Sequence, residues 1–216
     1  MDLLTKTALL TTLIALFSGC TNAGETEETD DPVPEVFVID NFGDNTMEGH
    51  TPRGFQGQGT GLFAGDNLNS GFPDGDGVHL FLTFDLSELD GDGWQIESAI
   101  LATDHASVSG TPYDDLGTLG AVEMRFASFS SALWDAEPIA DGASCAFADS
   151  TDGPFSCDLG DAVQASVDDD YEYAQFRLRF DQAGDNDGSQ DLATFFISDS
   201  NTDEPGIFTL TVTASR

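Results

Sequence analysis

The chain has 216 residues, with 40 Asp and Glu against 6 Lys and Arg, a formal charge of −34. That balance excludes nucleic acid as a partner, because phosphate binding needs a basic surface, and it disfavours direct adhesion to an anionic membrane. A hydrophobic fraction of 39% with 17 Phe supports one medium-sized domain with a full core and excludes disorder of the whole chain.

The acidity has two readings. An Asp-rich, Lys-poor surface stays hydrated at high salt, where counter-ions screen its self-repulsion, and this halophilic reading suits the overall charge. Discrete divalent-cation sites embedded in that surface are the second.

Residues 1–19 read as a lipoprotein signal peptide. Lys6 supplies a positive charge, Ala8–Phe17 is an apolar run too short to span a bilayer, and Phe17-Ser18-Gly19-Cys20 looks like a bacterial lipobox. Phe17 stands where Leu is usual, and Asp2 makes the start less basic than normal. Cys20 is the expected lipidation site, and more than one acyl chain there gives stable anchoring. The competing reading is an ordinary secretory signal with a chance Cys. The expected location is the cell envelope, exported and lipid-anchored at the outer membrane or cell surface, with the lipid as the sole membrane contact. Residues 20–35 follow as a disordered tether. Thr21–Glu35 lacks hydrophobic periodicity and carries five acidic residues before Pro32 and Pro34, so repulsion and proline extend it.

Residues 36–216 read as one β-sandwich domain. Val36–Asp40 is a short apolar strand, and Asn41–Pro73 is long and glycine-rich with one strand near Phe55–Phe63. In the next strand Val78, Leu80, Leu82, Phe84 and Leu86 share a face, while His79, Thr83 and Asp85 share the other. The acidic turn Asp90-Gly91-Asp92-Gly93 joins it to a second long strand, Glu97–Val108. Ser109–Thr118 is turn-rich. In Leu119–Phe129, Val122, Met124 and Phe126 alternate with Glu123 and Arg125, and Ser130–Trp134 suits a single helical turn. Asp161–Val167 predicts a short helix with Ala162, Val163 and Ser166 on one face. Glu172–Phe180 predicts a strand with Phe176, Leu178 and Phe180 inward and Gln175, Arg177 and Arg179 outward. Gln190–Ser198 and Gly206–Ala214 complete the set, the last with Phe208, Leu210 and Val212 alternating with threonines. Many turn-punctuated strands with at most one or two short helices predict an all-β, antiparallel β-sandwich, and among sandwiches a jelly roll.

Three Cys are an odd number for an exported chain. With Cys20 lipidated, Cys145 and Cys157 remain to pair in an oxidising compartment, the alternative being two buried thiols.

Phe84-Asp85-Leu86-Ser87, a Gly-containing turn and Ile96-Glu97-Ser98-Ala99-Ile100-Leu101 resemble the central strand pair of the DNRLRE-type carbohydrate-binding modules of bacterial surface proteins. Phe176-Arg177-Leu178-Arg179-Phe180 before an Asp-rich turn, and the closing Leu210-Thr211-Val212-Thr213, are similar to that family's later strands. The resemblance covers much of residues 78–214. It implies a jelly-roll module that binds acidic or neutral polysaccharide, or a structural surface domain. The acidity, the Cys pair and the N-terminal third depart from the family's pattern, and the acidity turns the expectation away from anionic ligands.

Aromatic faces stack on sugar rings, and Trp94, Tyr113, Tyr171 and Tyr173 are the ligand-binding candidates, with Tyr171 and Tyr173 spaced to share a face. Trp134, beside Leu133, reads as buried. Three acidic turns have calcium-like spacing: Asp74–Gly77, Glu88–Gly93 and Asp185–Asp191. Each also reads as an acidic turn in an acidic chain. The third, with Asp185, Asp187 and Asp191, is the metal-site expectation, and structural calcium is the expected cofactor. His79 and His105 fall on neighbouring predicted strands without a placeable third ligand, and no nucleophile or zinc motif is present.

Three functions follow as expectations. The first is a non-catalytic, lipid-anchored surface module with a polysaccharide or glycan partner. The second is a calcium- or salt-dependent adhesion or matrix subunit. The third, a polysaccharide hydrolase or lyase, would use paired carboxylates that 40 acidic residues make impossible to single out.

Overall fold

A computed structural model describes residues 32–53, 62–66, 77–91, 93–103, 106–139, 144–147, 155–185, 187–195 and 208–216. The expected leader, Cys20 and the tether up to residue 31 lie outside the described residues, as do His105, the strand sought at Phe55–Phe63 except Leu62 and Phe63, and the 74–77 turn except Gly77.

The chain forms two antiparallel sheets. The smaller contains, in spatial order, β1 (Glu35–Asp40), β12 (Thr209–Ser215), β5 (Gln95–Thr103) and β9 (Phe155–Asp158). The larger, strongly curled sheet runs β6 (Ala106–Ser109), β11 (Asp191–Phe195), β3 (Phe63–Asp66), β4 (Gly77–Asp85), β10 (Tyr173–Phe180), β7 (Leu119–Met124) and β8 (Cys145–Ala146), with β2 (Gly49–Pro52) also on β4. Two short helices, α1 (Pro112–Asp115) and α2 (Gly160–Asp168), complete the described secondary structure apart from 3-10 turns.

The period of two builds the core. Leu80, Leu82 and Phe84 of β4, Phe176 and Leu178 of β10, Leu101 of β5 and Leu210 and Val212 of β12 are all fully buried in one cluster. Each such side chain contributes about 1.5–3 kcal/mol by leaving water. Helix α2 buries Ala162, Val163 and Ser166, the face predicted for it.

Three expectations change. The pair of long strands around the acidic turn does not form a hairpin: β4 lies in the larger sheet and β5 in the smaller. After Leu86 the chain makes a 3-10 turn at Ser87–Leu89, with Asp85 Oδ1 accepting from the Ser87 amide, and Gly91 and Gly93 take φ of +101° and +96° as it crosses between layers. The expected strand Glu97–Val108 is two strands in different sheets, β5 and β6. The face of β4 and β10 expected to meet solvent is also covered. His79, Thr83, Gln175 and Arg177 are buried there, beneath a second cluster of Phe81, Met124, Phe126, Phe129 and Leu133.

The chain after β7 makes this cover. Ser131–Asp135 is a 3-10 turn, near the helical turn predicted. Arg177 Nη1 donates to the carbonyls of Leu133, Trp134 and Ala136 at 3.4, 3.2 and 3.0 Å. Gln175 binds Phe126 through both backbone groups, accepting from its amide and donating to its carbonyl. Trp134, expected buried, is half-buried. It stacks on His79 at 4.3 Å, donates Nε1–H to the Gly77 carbonyl and carries Arg53 over its ring.

Cys145 and Cys157 form a disulfide between β8 and β9, edge strands of the two different sheets. Replacing both with Ser is expected to lower the unfolding free energy by roughly 3 kcal/mol, from the lost restraint on the unfolded chain. Urea unfolding of the oxidised wild type and the double variant checks this, and equal midpoints would refute it.

Candidate functional site

The C-terminus of α2 places the predicted tyrosines. Asp170 takes φ of +53°, its amide donates to the Val167 carbonyl, and the Tyr171 amide donates to the Ser166 carbonyl. This pair of bonds closes the helix, and Asp tolerates the left-handed conformation better than most residues. The chain then turns directly into β10. Tyr171 and Tyr173 come together edge to face at 6.3 Å, and the Tyr171 hydroxyl donates to Gln175 Oε1. The Arg125 guanidinium lies 4.7 Å from the Tyr171 ring centre and pairs with Asp169 at 2.6 Å. Tyr173 also meets Phe42 edge on. Beside Tyr171 lies a groove of about 230 Å3, lined by Leu86 and Val167 and by the polar groups of Ser87, Asp90, Asp170 and Glu172. An apolar ring surface with converging hydrogen-bond acceptors is the chemistry that holds a polyhydroxylated ligand.

The other two aromatic candidates do not join this surface. Trp94 is only 2% exposed. It packs edge to face on Phe37 of β1 and lies under the Arg216 guanidinium, so it is a core side chain rather than a stacking platform. A turn-like sequence context hid this, because the segment crosses between layers and carries Trp94 inward. Tyr113 is half-buried against Phe180, at the far end of β10 from Tyr173, roughly 20 Å along the strand at its usual rise.

The acidic turn after β10 contributes only part of its expected metal set. Asp185 and Asp191 lie near each other, but the third carboxylate is Asp115 of α1, not Asp187. One oxygen from each of Asp115, Asp185 and Asp191 falls within 4.8 Å of the others. Asp187 is exposed, and its Oδ1 accepts from the Ser189 amide, while Asp185 Oδ1 accepts from the Asp187 amide. Such local bonds let an Asp shape a turn. Asp191 is 1% exposed, with Oδ1 accepting from the Thr111 amide at 2.6 Å and Oδ2 buried without a hydrogen-bond partner among the described residues. No ion pair reaches the three carboxylates among the described residues. Two like charges at this spacing repel by about 1 kcal/mol in water and about 4 kcal/mol at the effective dielectric of a protein surface. The triad is therefore a group that can hold a metal ion. Asp115 was not legible as part of it, since no spacing rule links a turn after β6 to a turn after β10.

Two further carboxyls stand out. Glu48 is buried, with Oε1 accepting from Asn41 Nδ2 and the Gly43 amide while Oε2 has no hydrogen-bond partner among the described residues, and burial pushes its carboxyl up to about 7. Glu123 is 6% exposed, and burial raises its carboxyl above the ordinary range. It borders a second groove of about 470 Å3 together with Glu97, Asp158 and Asp161. A carboxyl raised by burial beside other carboxyl groups is an arrangement that general acid–base catalysis uses. Neither residue was singled out by sequence, because Glu48 falls in a long glycine-rich segment without periodicity and Glu123 lies on the face of an alternating strand that reads as outward.

No protein-family model matches the chain, and no curated protein matches it.

Proposed function

We propose that the chain is a non-catalytic surface module of jelly-roll type, carried on a lipid-anchored N-terminus at Cys20, that binds a neutral polysaccharide or envelope glycan at the Tyr171 groove. The single observation that carries this reading is the groove itself: Tyr171, held by Gln175 and Arg125, beside the oxygen-rich rim of Ser87, Asp90, Asp170 and Glu172. The resemblance of the strands around residues 84–101 and 176–213 to DNRLRE-type modules supports the same class. Dense negative charge favours uncharged sugars over uronate polymers, which the surface would repel.

The Tyr171→Ala, Tyr173→Ala double variant is expected to bind a neutral polysaccharide column roughly thirtyfold more weakly, on the order of 1 kcal/mol for each of the two stacking rings. Circular dichroism identical to wild type would show that the fold is retained. Wild-type silence across a broad panel of neutral glycans would overturn the binding reading and leave the structural one.

The same reading includes a structural calcium ion at the acidic triad, whose all-oxygen donors suit a hard cation. The hydrolase reading is favoured only by the Glu123 groove. Turnover on a polysaccharide panel, lost in Glu123→Gln, would replace the module reading with it.

A further inference from the structure

We infer that Asp115, Asp185 and Asp191 form a calcium clamp that ties together three separate pieces of chain: α1, the turn after β10 and the first residue of β11. The inference rests on the calcium reading above and deepens it, by naming the ligands and giving the ion a mechanical role. The expected alternative was an ion held inside the single acidic loop 185–191.

Two independent observations converge. The first is the triad, three carboxylate oxygens within 4.8 Å of one another, a spacing from which small side-chain adjustments bring all three to the calcium–oxygen distance of about 2.4 Å. The second is Asp191. It is almost completely buried, its Oδ1 is bound to the Thr111 amide, and its Oδ2 has no partner among the described residues. A buried carboxylate oxygen left unpaired is strongly unfavourable, and a cation removes that penalty together with the mutual repulsion of the triad. A proton would neutralise one carboxyl and leave the other two facing each other.

The surroundings fit a tie between segments. The loop carrying Asp115 is bound to the turn carrying Asp185 through the Gln182 amide to the Leu116 carbonyl, the Asp181 amide to the Thr118 carbonyl, and Asp181 Oδ2 accepting from the Thr118 amide. Gly110, at φ of +73°, lets the two segments approach, because a Cβ there would collide with the Gln190 carbonyl and Asp191 Oδ1. The donor set is three carboxylates without His or Cys, which selects a hard cation over zinc or copper. Three protein carboxylates leave positions for water or carbonyl oxygen around a six- to eight-coordinate calcium ion. Magnesium demands a tighter octahedron and holds its own waters, so it is the poorer occupant.

Calorimetric titration of the full chain, stripped with chelator, tests the clamp with calcium chloride and with magnesium chloride. The wild type is expected to bind one calcium saturably and to gain melting temperature that sodium chloride of equal ionic strength does not reproduce. Asp115→Asn and Asp185→Asn, both half-buried positions, should lose the saturable heat while keeping the wild-type circular dichroism. Asp187→Asn should bind like wild type. Asp191→Asn should behave like the first two, and should it fail to fold, the Asp115 and Asp185 variants decide the matter. Loss in Asp187→Asn with retention in Asp115→Asn would overturn the clamp while leaving a calcium-binding loop. Only weak, unsaturable heat shared by all variants would overturn both the clamp and the calcium reading. Equal affinity for magnesium would overturn the assignment to calcium.

Discussion

Replacing Arg177 with Ala is expected to lower the unfolding free energy by about 3–5 kcal/mol, because a buried charged group that satisfies several backbone oxygens leaves them unpaired when it is removed. Arg177 is 3% exposed, and its Nη1 alone reaches three carbonyls of the segment that covers the larger sheet. Burial, with a smaller contribution from Arg179, brings the guanidinium down to about 10, so it remains charged at neutral pH. Arg177→Met separates the two parts of the loss. It restores most of the volume but none of the hydrogen bonds, so it should recover part of the deficit and still leave the Leu133–Ala136 stretch open to proteolysis. Urea unfolding and limited proteolysis measure both effects. A Met variant within about 0.5 kcal/mol of wild type, the range of an unremarkable surface change, would show that packing alone holds the cover.

The second large effect is a pair of opposing pH dependences. Burial, then the nearby Arg177 and Arg179, lower the His79 imidazole from 6.5 to about 3. The unfolded chain therefore takes up a proton below pH 6.5 that the folded chain refuses until about pH 3. The stability from a neutral His79 is present above pH 6.5 and is lost as pH falls through that window. Glu48 runs the other way. Its carboxyl rises from 4.5 to about 7 on folding, mainly by burial, so its contribution is complete below pH 4.5 and is lost as pH rises through 7. Between pH 4.5 and 6.5 the two slopes oppose each other.

Single variants should expose each slope. Glu48→Gln keeps an oxygen for Asn41 and Gly43 and removes the titration. Relative to wild type, its stability should rise by about 3 kcal/mol between roughly pH 4 and pH 8. His79→Phe keeps a ring against Trp134. Its stability relative to wild type should rise by about 3 kcal/mol or more as pH falls from 6.5 towards 4. Denaturation series at constant ionic strength measure both, and the background titration of the many surface carboxylates cancels in each difference. A difference that does not change with pH would refute the assignment to that residue.

Much of the body was legible because it depends on short-range pattern. Alternation along 78–84, 176–180 and 208–212 marks one face of each strand as apolar, and those faces meet in the core. The α2 face followed from helical spacing, and the paired cysteines from their number once Cys20 was set aside. The candidate site was less legible. Tyr171 and Tyr173 could be paired by spacing, yet Trp94 was misplaced because a glycine-rich acidic turn looks exposed even when it carries an aromatic between layers.

What the sequence by itself determined is the class of fold, the apolar half of each strand, helix α2 and the dense negative charge, all of which arise from periods of two and 3.6 residues or from composition. Tertiary structure alone decided what lies against the other half. His79, Gln175 and Arg177 are polar residues on an apparently outward face, and only the return of residues 125–139 buries them. It also decided that Asp115 stands beside Asp185 and Asp191 and that β4 and β5 part into different sheets. Local patterns report which side chains share a face. Which distant segment covers that face is settled by how the apolar surfaces of the whole chain can be buried at once.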